Sequence, residues 1–465
     1  MARDIVWITL ESVRQDHTSL GEYDRDTTPF LRTLSARPDS AAFTNCFSHD
    51  IWTRSSSASI LTGLAPSAHR TWSEDARLSR DVPTLPEALR DAGYRTACVS
   101  PNPQLSDVTG LARGFDHFHY LGKRTLLREA GVVTMARYLA GLNRHSAGYT
   151  RDTPKHSIGY LNAALARRHV DTAVDEGQPL FLYVHLGDSH HPYYPPKPYQ
   201  HRFADGFELS VDEALDVSMD MSADLHGHIA RGVPFADDEW NAIHAMYDAG
   251  VCHVDETTRR IIDYAETRLD DPIVVVTSDH GELLGERGLL AHMIAVNDAV
   301  SHVPLVVAGV SGLSGWHDGV VQHADAMRTV LSEAGVDADV PVGLDLRDER
   351  REFAVTQRGG DRAAGKLAKI SEHDPGFDAS QYHVGNLTSL RTPEYRYSQS
   401  DSGVELFELP DETYDLHEER PAVRDDLAAR CESWLAEFGA PRSRREERSE
   451  FDESMSAHLR DLGYL

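Results

Sequence analysis

Two strand-like segments of this chain end in residues that could bind a cation. The apolar run Ile273–Ser278 is followed directly by Asp279, His280 and a glycine, and the apolar run Asp4–Leu10 is followed by Glu11. In open α/β sheets, ligands bind in the crevice beyond the carboxyl ends of the strands. A tight turn at the glycine would let a carboxylate and an imidazole reach one cation. A simple capped turn would also explain the Asp-His pair taken alone.

A group of hydroxyl residues could supply a nucleophile. Thr53–Ser57 is a polar run that precedes the helical sequence ASILTG, which ends at Gly63. A hydroxyl at the start of a helix lies at the positive end of the helix dipole, beside free backbone N–H groups, and that place suits a tetrahedral oxyanion. The alternative interpretation is that Thr53 and the serines only cap the helix. The sequence does not decide between Thr53 and Ser55 as the attacking group.

Histidines follow two further apolar segments. His190 and His191 come with Asp188 directly after the strand-like run Phe181–Leu186, in a proline-rich loop. His292 falls in the loop before another apolar run and would supply a third ligand or an acid. A turn with surface histidines is the alternative for the first group.

The elements that position these residues indicate an α/β fold. Continuous apolar runs are typical of buried parallel strands, and helical patterns alternate with them. Beyond about residue 345 the pattern changes to short half-polar strands, which are typical of a small antiparallel sheet. Two amphipathic helices joined by a charged run close the chain. We therefore predict a core at residues 1–345, a small antiparallel subdomain at residues 346–420 and C-terminal helices at residues 421–465.

Composition excludes several classes of partner. The formal net charge is −28, from 46 basic and 74 acidic residues, which argues against nucleic acid and anionic membranes as partners. The positive charge is almost all arginine, because the only lysines are Lys123, Lys155, Lys197, Lys366 and Lys369. Such an acidic surface indicates a protein of a high-salt organism. The four cysteines lack metal-binding spacing, and neither a signal peptide nor a membrane span is evident, which predicts a cytoplasmic protein.

The order of the motifs resembles the sulfatase family of the alkaline phosphatase superfamily. The likeness covers most of the chain and includes the segments ITLESVRQDH, ASILTGLAP, GLARGFDHF, HLGDSHHPYYPP, TSDHGELLGERG and VPLVVAG. It implies a three-layer sandwich built on a large, mostly parallel sheet. It also implies one divalent cation held by Glu11, Thr53, Asp279 and His280, with Thr53 as nucleophile, His190 at the ester and His292 near the leaving group. The family favours Ca²⁺, while oxygen ligands with one imidazole also suit Mg²⁺ or Mn²⁺, and Zn²⁺ stays open.

Departures from the family pattern shape the functional prediction. Sulfatases carry a C/S-x-P-S-R motif whose first residue becomes formylglycine, but here those positions read TRSSS from Thr53. Threonine is not a substrate for that conversion, so the chain would be a non-formylglycine, haloarchaeal-type member. Arg14 or Arg54 would supply the missing positive charge. We predict a metal-dependent hydrolase of sulfate or phosphate esters, on small molecules or glycans, with threonine favouring phosphate. The alternatives are a non-catalytic binding protein and a soluble phospho-group transferase.

Overall fold

The computed structural model describes residues 2–463. Sixteen strands lie within this range, several of them of only two residues. In chain order they are β1 (Ile5–Leu10), β2 (Ser40–Phe47), β3 (Ala76–Arg77), β4 (Arg95–Ser100), β5 (His117–Tyr120), β6 (Leu180–Leu186), β7 (Ile273–Ser278), β8 (Leu283–Leu284), β9 (Leu290–Ala291), β10 (His302–Ala308), β11 (Gly315–Gln322), β12 (Ala354–Arg358), β13 (Leu387–Arg391), β14 (Tyr395–Ser400), β15 (Gly403–Glu408) and β16 (Glu447–Arg448).

The α-helices of the described range connect and cover these strands. In chain order they are α1 (Pro29–Ser35), α2 (Thr53–Thr62), α3 (Pro66–His69), α4 (Leu85–Asp91), α5 (Leu126–Ala130), α6 (Val132–Ala140), α7 (Leu142–His145), α8 (Gly159–Glu176), α9 (Val211–Ala223), α10 (Leu225–Ala230), α11 (Asp237–Arg268), α12 (Asp298–Ser301), α13 (His323–Glu333), α14 (Gly360–His373), α15 (Pro421–Phe438) and α16 (Glu453–Asp461). None of the helices within residues 2–463 has both the length and the apolarity of a membrane span.

The central sheet has eight strands in the order β11-β2-β10-β7-β1-β6-β4-β5. β1 pairs in parallel with both β6 and β7, whereas β10 runs antiparallel to its neighbours β7 and β2. The remaining pairs, β2 with β11 and β4 with β5 and β6, are parallel. The sheet is therefore mostly parallel, and the carboxyl ends of β1, β6 and β7 lie side by side.

Both faces of the sheet are covered by helices, because alternate residues of each strand point to opposite sides. In β1, Val6 and Ile8 pack into the core formed with α8 and α11. Ile5 and Trp7 pack into the opposite core, to which α2, α4 and α13 contribute. The predicted three-layer α/β sandwich with a mostly parallel sheet is thus confirmed.

A second sheet of four antiparallel strands, β12-β13-β14-β15, lies beyond the central sheet in sequence. Its existence was predicted, but α14 between β12 and β13 was not. The charged run between the last two helices also contains the strand β16, which was not predicted and pairs with β3. The predicted unit boundaries at residues 345 and 420 stay predictions, and residues 1 and 464–465 of those units lie outside the described range.

Candidate active site

Glu11 and Asp279 are neighbours because their strands pair in register. Leu10 at the end of β1 lies opposite Ser278 at the end of β7, so the next residue of each strand enters the same crevice. The backbone N–H of Ser12 donates to Asp279 Oδ1 at 3.1 Å, and the N–H of His280 donates to the same oxygen at 2.9 Å. Oδ1 is therefore held by the backbone, and the carboxylate has a fixed orientation.

Thr53 is brought to these residues by the start of α2. It is the first residue of the helix and is fully buried. Its hydroxyl donates to Glu11 Oε1 at 3.2 Å and lies 3.3 Å from His280 Nε2. The Ser56 hydroxyl, one turn further along, donates to the Asp279 carbonyl at 2.6 Å and ties the helix to the end of β7. The helix ends as predicted at Gly63, whose φ of 64° is left-handed.

The tautomer of His280 follows from its hydrogen bond. Its Nδ1 lies 2.8 Å from the Gly281 carbonyl, which can only accept, so Nδ1 carries the proton. Burial lowers the pKa of His280, which keeps the ring neutral. The lone pair of Nε2 is thereby directed toward Thr53 and toward Asp279 Oδ2, which lies 3.4 Å away.

This group has the donor chemistry of a divalent cation site. Asp279 Oδ2 is buried and has no hydrogen bond within residues 2–463, although a carboxylate oxygen in that position requires a partner. Carboxylates of Glu11 and Asp279, the Thr53 hydroxyl and one neutral imidazole form the mixed oxygen and nitrogen set that Ca²⁺, Mg²⁺, Mn²⁺ and Zn²⁺ accept in different proportions. The four residues predicted as ligands are thus brought together and fit a cation.

Two further residues contact Glu11 and were not predicted for the site. Asn102, at the end of β4, donates through its side-chain amide to Glu11 Oε1. His185 lies within β6, and its Nε2 is 3.2 Å from Glu11 Oε2. Burial alone would raise the pKa of Glu11, but His185 and His190 together lower it, so the carboxylate is ionised. Asn102 follows β4 by two residues, whereas nothing in the sequence around His185 distinguishes it from a core residue.

The predicted histidines form a second cluster beside the first. The rings of His280 and His292 have centroids 4.4 Å apart, and those of His292 and His190 lie 5.1 Å apart. His191, which was seen only as a loop residue, joins them, because ring nitrogens of His190, His191 and His292 lie within 4.8 Å of one another. His292 Nδ1 is 3.1 Å from Glu282 Oε1. Burial raises the pKa of Glu282 well above its usual value and lowers the pKa of His292 well below its usual value.

The two arginines predicted for catalysis have contacts away from Thr53. Arg14 pairs with Asp16 at 2.7 Å and Glu286 at 2.5 Å. Arg54 donates through Nε to Gln104 at 2.7 Å and through Nη1 to carbonyls of the loop at residues 73–76. Ser55 is buried, and within the described chain its hydroxyl has no hydrogen bond to any predicted ligand. Among the hydroxyls considered, Thr53 is therefore the one placed against the ligand set.

The family is decided by a match that spans this whole site. A family model described as Sulfatase matches residues 3–336, from β1 to the residues after α13. The chain belongs to the sulfatase family. The match includes every predicted site residue, and the predicted resemblance is confirmed at the level of the family.

Individual sulfatase-like proteins are distant relatives of this chain. An uncharacterised sulfatase of Escherichia coli is 23% identical over 293 residues, which is 60% of this chain and 58% of that protein. A choline-sulfatase of Rhizobium meliloti is 24% identical over 66% of this chain and 63% of its own length. The chain thus spans less than two thirds of the length of these relatives. The crystal structure of a phosphonate monoester hydrolase of Agrobacterium radiobacter superposes with a TM-score of 0.72 at 19% identity, covering 94% of this chain and 96% of that one. This likeness concerns the fold.

Proposed function

We propose that this sulfatase-family chain is a metal-dependent hydrolase of sulfate or phosphate esters that uses Thr53 as its nucleophile. The observation that carries the proposal is the convergence on the Thr53 hydroxyl of Glu11 at 3.2 Å and His280 at 3.3 Å, at the start of a buried helix. A hydroxyl that only caps a helix would hydrogen-bond to the N–H groups of its own first turn. The Thr53 hydroxyl donates to the carboxylate of Glu11, which follows β1.

The proposed reaction has two displacements. Thr53 Oγ1 attacks the sulfur or phosphorus atom, its proton passes to Glu11, and the bond to the ester oxygen breaks. His292 transfers its Nε2 proton to the departing alcohol oxygen and takes the proton of Glu282 at Nδ1, while His190 contacts the ester oxygens. Water then attacks the same sulfur or phosphorus atom and gives one proton to His292 Nε2, and His292 returns its Nδ1 proton to Glu282. The bond to Thr53 breaks, and the Thr53 oxygen takes back the proton held by Glu11.

A bound divalent cation would act as a Lewis acid in this site, and Glu11, Thr53, Asp279 and His280 would hold it. Ca²⁺ is our first candidate, on the basis of the family. Because the backbone hydrogen bonds occupy Asp279 Oδ1, Oδ2 is the oxygen that would bind the cation. His190 and His292 would contact the substrate and would not bind the cation.

Threonine favours phosphorus over sulfur in this proposal. A hydrated formylglycine has a second hydroxyl that expels sulfate by carbon–oxygen cleavage, whereas an ester on threonine is released only by attack at its central atom. Structures of phosphonate monoester hydrolases from two organisms superpose on this chain, and a multifunctional member of the superfamily is 24% identical over 322 residues. Because a choline-sulfatase is also among the relatives of this chain, we retain sulfate esters as candidate substrates.

The acidic composition sets the proposed working conditions. With 74 acidic against 46 basic residues, the surface repels itself in dilute buffer and is screened in concentrated salt. We therefore propose that the enzyme works in the cytoplasm of a halophile, and we expect its activity to increase with salt concentration. Because position 53 is threonine, we also propose that the enzyme works without formylglycine.

The test compares aryl sulfate, aryl phosphate and aryl phosphodiester hydrolysis in high salt, after chelation and with each cation restored. Thr53→Ala is expected to lose at least about a thousandfold of kcat. Ser55→Ala reports on the other candidate hydroxyl. Thr62→Ala is the matched control, because this threonine lies at the far end of the same helix and donates to the Ala58 carbonyl.

The outcomes separate the possibilities. Metal-dependent turnover that Thr53→Ala alone abolishes, with a phosphorylated or sulfated Thr53 peptide in quenched reactions, would support the proposal. Loss in Ser55→Ala with activity in Thr53→Ala would refute the assignment of the nucleophile. Absence of turnover of every ester, with no thermal stabilisation by any cation, would refute the hydrolase and favour a binding protein.

A further inference from the structure

A large cavity opens directly from the candidate active site. Its volume is 630 Å³, within the range of pockets that enclose a ligand the size of a drug molecule. Glu11, Asn102, His190 and His191 form its inner end. A molecule that occupies the cavity can therefore place one end against the residues around Thr53.

The outer part of the cavity is lined by apolar side chains. They come from the α5–α7 segment and from the loop after His191, and they include Leu126, Met135, Leu139, Leu142, Tyr194 and Pro196. Leu142 is almost fully buried, whereas the Leu139 side chain in α6 is 50% exposed. Helix α16 supplies the facing wall through Ala457 and its polar neighbours. Charged and polar side chains also line the cavity, among them Lys123, Arg124, Asp188, Glu453 and Asp461.

The same segment carries much of the exposed apolar surface of the protein. Within the described chain, four of the nine strongly exposed large apolar side chains belong to it: Leu127, Val132, Val133 and Leu139. Apolar surface of this kind beside a concave site marks ligand binding more often than scattered exposure does.

We infer that this cavity binds the alcohol portion of the ester and that this portion is apolar, such as a long alkyl chain. The inference rests on the proposed hydrolase function and names its substrate class. The anionic head lies at Thr53 and His190, and the apolar body extends along α6 and α7 toward Tyr194. Each methylene that leaves water for such a pocket contributes a factor of about three to four in binding.

The experiment measures kcat and KM for a homologous series of alkyl esters, from ethyl to decyl, below micelle-forming concentrations. The alkyl esters carry sulfate or phosphate, whichever group the enzyme hydrolyses in the aryl ester assay. Glucosamine 6-sulfate or 6-phosphate serves as the polar substrate for comparison. Binding of the matching alkyl sulfonates or alkyl phosphonates, which cannot be hydrolysed at carbon, is measured by calorimetry. This second readout does not depend on catalysis.

Leu139→Asn and Val133→Asn form a matched pair of variants. Both residues lie on α6 and are at least half exposed, at 50% and 64%, but only Leu139 lines the cavity. We expect KM to fall about threefold per methylene in the unaltered protein. Leu139→Asn should raise KM for the decyl ester about tenfold and leave the ethyl ester unchanged, while Val133→Asn should leave both unchanged.

Failure of this inference differs from failure of the proposed function. Turnover with KM independent of chain length, or a preference for the sugar ester, would overturn the apolar pocket and leave the hydrolase standing. Chain-length-dependent sulfonate or phosphonate binding without any turnover would support the pocket and overturn the hydrolase. Equal effects of both α6 variants would overturn the assigned location.

Discussion

Tyr247 holds the turn that carries Glu11, and its hydroxyl is the best place to test whether that turn supports the site. The Arg14 backbone N–H donates to Tyr247 Oη at 3.0 Å, and Tyr247 Oη donates to the Ser12 carbonyl at 2.7 Å. Ser12 has a φ of 60°, a left-handed conformation that disfavours a residue with a side chain by about 1–2 kcal/mol. The two hydrogen bonds to Tyr247 stabilise this backbone where β1 enters the crevice.

Tyr247→Phe leaves a buried N–H and a buried carbonyl without this partner. Each lost bond destabilises by about 1–1.5 kcal/mol, so we expect the free energy of unfolding to fall by about 2–3 kcal/mol. The midpoint and slope of urea unfolding measure this loss. We also expect kcat/KM for the preferred aryl ester to fall about tenfold, because Glu11 directly precedes the strained residue.

Tyr264→Phe is the matched control, since it makes the same change on the same helix. Tyr264 is only partly buried, and its hydroxyl donates to Asp171 at 2.6 Å. Its loss should be below about 1 kcal/mol and should leave kcat/KM unchanged. If the two variants were equally stable and equally active, the turn would not depend on Tyr247 and the reasoning would be refuted.

Two further changes test the turn after β7 and the attachment of the small sheet. A Cβ added at Gly281 would lie 2.0 Å from the Ala299 carbonyl oxygen. Gly281→Ala should therefore destabilise the folded protein by several kcal/mol and weaken its stabilisation by added cations. An unchanged melting temperature would contradict this geometry. Burial would raise the pKa of Glu405, but His383 and Arg287 lower it to about 2 from an ordinary 4.5. A carboxyl group whose pKa is lowered in the folded state stabilises the fold above pH 4.5, and this contribution is lost as the pH falls toward 2. Glu405→Gln should therefore lower the free energy of unfolding by about 2–3 kcal/mol at pH 6 and by progressively less below pH 4.5. A difference in urea unfolding that stays constant across that pH range would contradict the ion pair.

The residues that the sequence could place are those tied to an element boundary. Continuous apolar runs predicted β1 and β7, and the residue after each run is Glu11 or Asp279. The start of α2 followed from a polar run ahead of a helical one, and that placed Thr53. Parallel pairing brings strand ends to one edge of the sheet, and the resemblance to the sulfatase family implied that these three positions share one site.

The residues that could not be placed depend on pairings between distant segments. His185 lies inside β6 with apolar neighbours, and its contact with Glu11 exists only because β6 pairs with β1. Asn102 reaches Glu11 from β4, one strand further away. Arg14 was expected near the ester, yet Asp16, two residues along the chain, competes for its guanidinium at short range. Local spacing does not reveal which partner of an arginine prevails.

The two oxygens of Asp279 show how the fold separates structure from chemistry within one side chain. Oδ1 accepts backbone N–H groups from Ser12 and His280, so it fixes the turn after β7 to the turn after β1. Oδ2 faces His280 Nε2 and has no hydrogen bond within residues 2–463. A buried oxygen of this kind destabilises the folded chain, and a cation that binds it reverses that penalty only in the folded state. In the proposed cation-bound enzyme, cation affinity and fold stability would therefore be coupled through Oδ2, whereas Oδ1 supports the turn with or without a cation.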